Sequence, residues 1–206
     1  MIHLPTIGST QDEAKRILKE DHESSPSLNH LPYFAISASE QTNGRGTSGR
    51  QWIGRKGNAF LTICVPMNTI MNYIPPTLLP LQMGCIVASS IQRLIFQEHH
   101  NHNATQDTQQ HSIITLKWPN DVLINDEKIS GILIENETSS DDGSTWFIIG
   151  IGVNVAHAPI IETTGKNAGR KSTCLMDHMI HLNRFHDSQH SQVEETNDIH
   201  NNNDDD

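Results

Sequence analysis

IITLKWPNDVLINDEKISGILIE, residues 113–135, is the stretch on which the fold turns. Ile113–Trp118 and Asp121–Ile124 are apolar runs of strand length. Pro119, which cannot donate to a ladder, divides them and re-aims its neighbours. Asn125-Asp126-Glu127 is a turn signal, and Lys128–Glu135 returns as a third strand. Strands this close in sequence pair as hairpins. The meander continues through Asp141-Asp142-Gly143, another turn, into a strand over Trp146–Val155.

Working outward, Met83–Phe96 carries Cys85, Ile86, Val87, Ile91, Leu94 and Ile95 without alternation, which predicts a helix buried on a broad face. Tyr33–Ile36 and Ala59–Val65 read as strands, the second stopped by Pro66. Ser9 and Thr10 are capping residues ahead of Ala14, Ile17 and Leu18, so a first helix runs from there to about Glu20. A weaker helix is expected over Thr173–Leu182. These elements define an α+β class: a mixed, mainly antiparallel β-sheet with helices packed on one side. The polar segment Glu40–Gly57 is left as a long loop, of the kind that carries function.

Of the 206 residues only 35% are hydrophobic and 5% aromatic, below the ordinary globular range, so part of the chain is not expected to fold. Residues 185–206 hold seven acids and no Lys or Arg, and the net charge is −10. The expected organisation is a domain over 1–184, with a polar insertion at about 98–112, and a disordered acidic tail over 185–206. The remaining body is nearly balanced in charge and gives no electrostatic reason to wrap DNA. No apolar run is read as long enough to span a bilayer, and the first residues lack a signal-peptide pattern. Three unpaired cysteines fit a reducing, cytoplasmic compartment.

Two clusters carry chemistry. Gly44-Arg45-Gly46-Thr47-Ser48-Gly49-Arg50 satisfies G-x-G-x-x-G, but Trp52, Gly54 and Gly57 lead into a strand rather than the helix that a dinucleotide fold needs. The glycines still let backbone approach a ligand, and Arg45, Arg50, Arg55 and Lys56 favour an anion, phosphate above all. The second cluster is Lys117-Trp118-Pro119-Asn120-Asp121. Its Lys117, Asn120 and Asp121 gather at one sheet end with Lys128, a set suited to a nucleotide phosphate and its magnesium ion.

Read together, Gly44-Arg45-Gly46-x-x-Gly49-Arg50-x-Trp52, Lys117-Trp118-Pro119-Asn120-Asp121, Lys128-x-x-Gly131-Ile132-Leu133 and Ile149-Gly150-Ile151-Gly152-Val153-Asn154 resemble the catalytic domain of biotin protein ligases. The resemblance spans about Ser9 to Asn154. It implies condensation of biotin with ATP and Mg2+ to biotinyl-5'-AMP, then transfer of biotin to a lysine of the biotin carboxyl-carrier domain of a carboxylase. By resemblance, Ser9, Thr10, Gln11 and Gln41 meet the ureido ring. Arg45, Gly46, Thr47, Lys128 and Gly131 complete the biotin site, and Arg45, Lys117 and Lys128 are the catalytic cations. Gly44, Arg50, Trp52, Lys117, Asn120 and Asn154, the last beyond a Gly150-x-Gly152 turn, would bind ATP, with Asp121 on magnesium.

The same resemblance marks departures. Thr47 stands where many biotin ligases have a second arginine, and neither a counterpart of the family's small C-terminal β-barrel nor a DNA-binding extension ahead of Ser9 is expected. No partnership with DNA or a membrane is expected, and a homodimer is compatible with the family. A lipoate or octanoate ligase of the same fold is the alternative reading, as is a catalytically weak biotin- or nucleotide-binding relative. The abundant histidines follow compositional bias, so no structural metal is expected. Ordering eighteen residues costs on the order of 1–2 kcal/mol each, so the Glu40–Gly57 loop is expected to fold over ligand.

Overall fold

The computed structural model describes residues 1–20, 33–101, 113–161 and 170–179. Seven strands form one sheet in the order β1-β2-β5-β9-β8-β7-β6: β1 (Ile2–Leu4), β2 (Phe34–Ala38), β5 (Ala59–Pro66), β6 (Ile114–Lys117), β7 (Asp121–Ile124), β8 (Glu127–Thr138) and β9 (Thr145–Val153). Only the β1–β2 pair is parallel. The sheet is thus mixed and mainly antiparallel, as the meander predicts.

The expected long loop is instead a second, two-stranded sheet, β3 (Gln41–Arg45) and β4 (Gln51–Gly54), joined by a 3-10 turn at Thr47–Gly49. Its sequence is polar, so alternation gives no sign of it. The backbone does: Thr42 N–H donates to Ile7 O at 2.9 Å and Asn43 N–H to Gly8 O at 2.8 Å, which lays β3 beside the residues leading into α1 (Thr10–Lys19). Ser48 takes a left-handed φ of 58° and Gly49 one of 72° to turn the chain.

The helices do not all lie on one side. Phe147 and Ile149 of β9 join Val122, Ile124 and Ile132 under α3 (Leu79–Asn101), through its Leu79, Val87, Ile91 and Ile95. Trp146 and Ile148 join Phe34, Ile36 and Cys64 under α1, through Ala14, Ile17 and Leu18. Successive residues of a strand point to opposite faces, so α1 and α3 clamp the sheet between them. The short α2 (Met67–Met71) packs with α3's cluster through Met67 and Ile70.

Two further expectations change. The α3 backbone stays helical to Asn101, into the segment expected as a polar insertion, of which 102–112 lies outside the described residues. The stretch Pro76–Ile95 is, contrary to the sequence reading, long and apolar enough to cross a bilayer by those measures alone, although here it buries one face against the sheet. Helix persists at 175–179 of the expected last helix, and the tail 185–206 lies outside the described residues.

Candidate active site

Cross-strand partners share a face, so the register maps what lies on α1's side of the sheet. One row reads Glu135–Ile148–Cys64–Phe34, the next Leu133–Gly150–Thr62–Ile36, and the next Lys117–Asp121–Gly131–Gly152–Phe60. Moving along these rows, bulky apolar residues give way to glycines and charges. α1 covers the apolar end and stops. Its first residues, Thr10 and Gln11, hang over Gly150, where a Cβ would come within 2.9 Å of Gln11 Cδ.

Past α1, the Trp52 indole lies on Gly131 and Gly152. A Cβ at Gly152 would sit 2.5 Å from the ring's Cε2, and one at Gly131 2.8 Å from its Cζ3. These glycines are strand residues chosen for close approach, and the expected turn at Gly150-x-Gly152 is a continuous strand instead. Lys128 joins them through a β-bulge. Asp121 pairs with Gly131 and Val122 with Ser130, but Leu123 pairs with Lys128, so Ile129 is one residue extra. Residues three apart in a regular strand face opposite sides; the bulge lets Lys128 and Gly131 both face Trp52. Lys128 Nζ lies 2.6 Å from the Asp121 carboxylate and 5.4 Å from the Trp52 ring centroid.

Arg45 reaches the same face further along β8. Its guanidinium contacts Asp12 in the first turn of α1 at 2.6 Å and Glu135 at 2.7 Å, and Lys15 also reaches Glu135 at 2.9 Å. Burial works against the Arg45 charge, but the Asp12 hydrogen bond and the two carboxylates outweigh it and lift the pKa above its ordinary value. The group is a fixed cation.

Beneath α1's start lies a buried polar knot. Gln41 Oε1 accepts from Thr10 N–H at 2.8 Å and from Thr10 Oγ1 at 3.0 Å; Thr62 Oγ1 donates to Thr10 Oγ1 at 2.9 Å and to Gln11 Oε1 at 3.3 Å. Gln11 Nε2 donates to Glu135 at 3.2 Å. Ser9 is buried and caps the helix, its Oγ accepting from Asp12 N–H at 3.4 Å.

The remaining expected residues divide. Asn120 donates to Ile132 O at 2.9 Å, which ties the β6–β7 turn to β8, and the Trp118–Pro119 peptide there is cis. Lys117 is exposed at the end of the glycine row. Arg50 turns back on its own loop, donating to Thr47 O at 3.3 Å and Thr47 Oγ1 at 3.0 Å. With Gly44, Arg45, Gly46, Asn43, Gly49 and Gln51 it lines a recess of about 330 Å³ that excludes the Lys128 group. Asn154 is buried, and its Nδ2 donates to Thr173 O at 3.1 Å. Among the described residues two buried side-chain polar atoms have no partner, Trp52 Nε1 and Asn154 Oδ1. Buried orphans cost folding free energy, which singles out these two atoms among the buried polar groups.

Neither buried cysteine is an activated nucleophile. Burial pushes the Cys64 thiol up to about 12, and burial with a hydrogen bond to Asp177 raises Cys174. Sequence reasoning missed Thr62, Asp12, Glu135 and Asn58. Each acts through partners at least thirty residues away, which no local pattern records.

Residues 6–154 match the Biotin/lipoate A/B protein ligase family. The chain is 32% identical over 124 residues to a biotin–acetyl-CoA-carboxylase ligase of Paracoccus denitrificans, covering 60% of this chain and 45% of that protein. It superposes on the biotin protein ligase of Leishmania major in complex with biotin with a TM-score of 0.61 at 30% identity, over 88% of this chain and 65% of that one. For the Aquifex aeolicus biotin protein ligase in complex with biotin and ATP the TM-score is 0.52 at 27% identity, over 85% and 59%. The chain spans less than half the length of the curated relatives it matches. By motif, register and fold, the chain belongs to the biotin/lipoate A/B protein ligase family.

Proposed function

We propose that this chain is an ATP-dependent biotin protein ligase. It joins biotin to ATP as biotinyl-5'-AMP and passes the biotinyl group to a lysine in the biotin carboxyl-carrier domain of a carboxylase. The observation that carries this reading is the shared face: Arg45 and Lys128 stand along one side of β8, with a buried polar knot nearby and two unpartnered polar atoms beside them.

In the first step a biotin carboxylate oxygen bonds to the α-phosphorus and the bond to pyrophosphate breaks. Two anions must meet, so fixed cations and alignment do the work and no protein nucleophile is required. Arg45 and Lys128 would neutralise carboxylate and phosphate, with Gly46 and Gly131 allowing close approach. Lys117 and Arg50 would serve the outer phosphates beside Gly44. Trp52 would pack against the adenine, and Asn154 Oδ1 would accept from its amino group. Magnesium enters with the triphosphate as substrate. Among the described residues no group of three or more His, Cys, Asp or Glu gathers, so phosphate oxygens would hold the ion, with Asp121 as the protein donor and Asn120 keeping the turn in place.

In the second step the carrier's neutral lysine amine attacks the acyl carbon, AMP leaves, and a proton is released. Thr47 holds Arg50 and offers the mixed anhydride no guanidinium fork of its own. Retention of the intermediate then falls to Arg45 and Lys128.

The buried knot of Thr10, Gln11, Gln41 and Thr62, with Ser9 at its edge, favours biotin over lipoate. A ureido ring can exchange hydrogen bonds with such groups, whereas a dithiolane ring offers them neither donor nor acceptor of comparable strength. The test mixes the purified chain, MgATP, biotin and a carrier domain, with lipoate in a parallel reaction. Biotin-dependent pyrophosphate release and carrier labelling are expected. Labelling by lipoate alone would transfer the chain to the other branch of the family, and a bound vitamin without pyrophosphate release would make it a binding protein.

A further inference from the structure

Asn58 precedes β5 by one residue and is 7% exposed. Its Oδ1 accepts from three successive backbone N–H groups, those of Val155 at 3.1 Å, Ala156 at 3.1 Å and His157 at 3.0 Å. Its Nδ2 donates to His157 O at 2.8 Å. A single carboxamide thus satisfies four backbone groups in a segment that belongs to no helix or strand. Gly57 closes the joint: its carbonyl accepts from Ala156 N–H at 3.3 Å, and at a φ of 97° its missing Cβ would stand 3.0 Å from the Ala156 side chain.

The braced segment begins directly after Asn154. That residue's N–H donates to Ile129 O at 2.9 Å, its carbonyl accepts from Leu175 N–H at 3.0 Å, and its Nδ2 donates to Thr173 O at 3.1 Å. Everything that hydrogen-bonds on Asn154 is engaged except Oδ1. The side chain is held from β8 and from 173–175 on one flank. On the other it is held through its own backbone, whose course Asn58 sets.

We propose that Asn58 is a positioning residue for the nucleotide: by fixing 155–157 it aims Asn154 Oδ1, and so sets affinity for ATP without touching it. This rests on the reading in which Asn154 meets the adenine. Without the brace, ordering of three residues would be drawn from nucleotide binding. The biotin end, under α1, would not be affected.

The test measures ATP KM, kcat and biotin Kd for the full chain, Asn58→Leu and Asn58→Asp. Leucine is nearly the same size and loses all four hydrogen bonds; its ATP KM should rise about tenfold, with saturated kcat and biotin Kd within about twofold. Aspartate keeps an oxygen for the three N–H groups but loses the donor to His157, so its ATP KM should fall between wild type and leucine. An unchanged ATP KM in Asn58→Leu, or a parallel loss of biotin affinity as in general loosening, overturns the proposal. Should the leucine variant not fold, the aspartate variant and hydrogen exchange of the wild-type amides 155–157 decide: protection is expected, and exchange at the rate of an open loop overturns it. Absence of ATP-dependent activity in the wild type would sink the ligase reading instead, while the exchange measurement would still read the brace.

Discussion

The two ends of α1's side of the sheet use the same strands to opposite purposes. At one end Phe34, Ile36, Cys64, Trp146 and Ile148 fill the space beneath Ala14, Ile17 and Leu18. At the other, only a row or two away, Gly131, Gly150 and Gly152 leave that space empty, and long side chains from β4 and α1 enter it. The first end buries apolar area and contributes stability. The second gives up that area so that Trp52, Gln11 and Lys128 can lie close to the backbone. Site and core are therefore the same surface with different side-chain volumes.

That contrast can be broken from either end. The largest effect is expected at Lys128→Ala, which removes a cation from the open end: carrier labelling should fall by about 10²- to 10³-fold with the melting temperature little changed, and retention of labelling would remove Lys128 from the chemistry. Next, Ile148→Ala hollows the filled end and should cost about 2–5 kcal/mol in denaturant unfolding, while KM values of the folded fraction stay put. A shift in KM there would mean that the two ends are not separable.

Gly152→Ala tests the border. Its methyl group would collide with the Trp52 ring, so kcat/KM for ATP should drop about ten- to a hundredfold, because a displacement near 1 Å is enough to misalign the reactants. Wild-type kinetics would show that the indole is free to move aside. The smallest change is expected at Thr47→Arg on the β3–β4 turn. A new exposed ionic contact is worth about 1 kcal/mol, so release of free adenylate should fall about fivefold, and unchanged release would show that position 47 does not govern retention.

The filled end was readable from the residues alone. Ala14, Ile17 and Leu18 recur at helical spacing, and the 113–155 meander alternates between unmistakable turns, so strand order followed from hairpin logic. The open end was half readable. Lys117, Asp121, Lys128 and Arg45 announced anion chemistry by type, and the structure sets them on one face. What stayed hidden depends on distant partners. β3 and β4 are polar and exist because Ile7 and Gly8 receive their backbone bonds. β1 has three residues, too few to alternate. Gly150 and Gly152 resembled a turn because a sequence does not record that an indole from residue 52 will lie across them. The sides taken by the helices were misjudged for a related reason: β9 is apolar at successive positions, Trp146 through Ile149, which signals burial of both faces, a pattern that points to cover above and below.

The extra residue in β8 has a consequence for how this protein tolerates change. Ile129 contributes a buried aliphatic side chain, and many apolar replacements would serve that need. Its count matters more than its kind. Excising it would close the bulge into regular pairing, with Lys128 still opposite Leu123 but the strand straightened and a buried side chain lost beneath α3. A one-codon deletion here therefore changes both the bend of β8 and the filling beneath α3, whereas an apolar missense change at the same place keeps the bend.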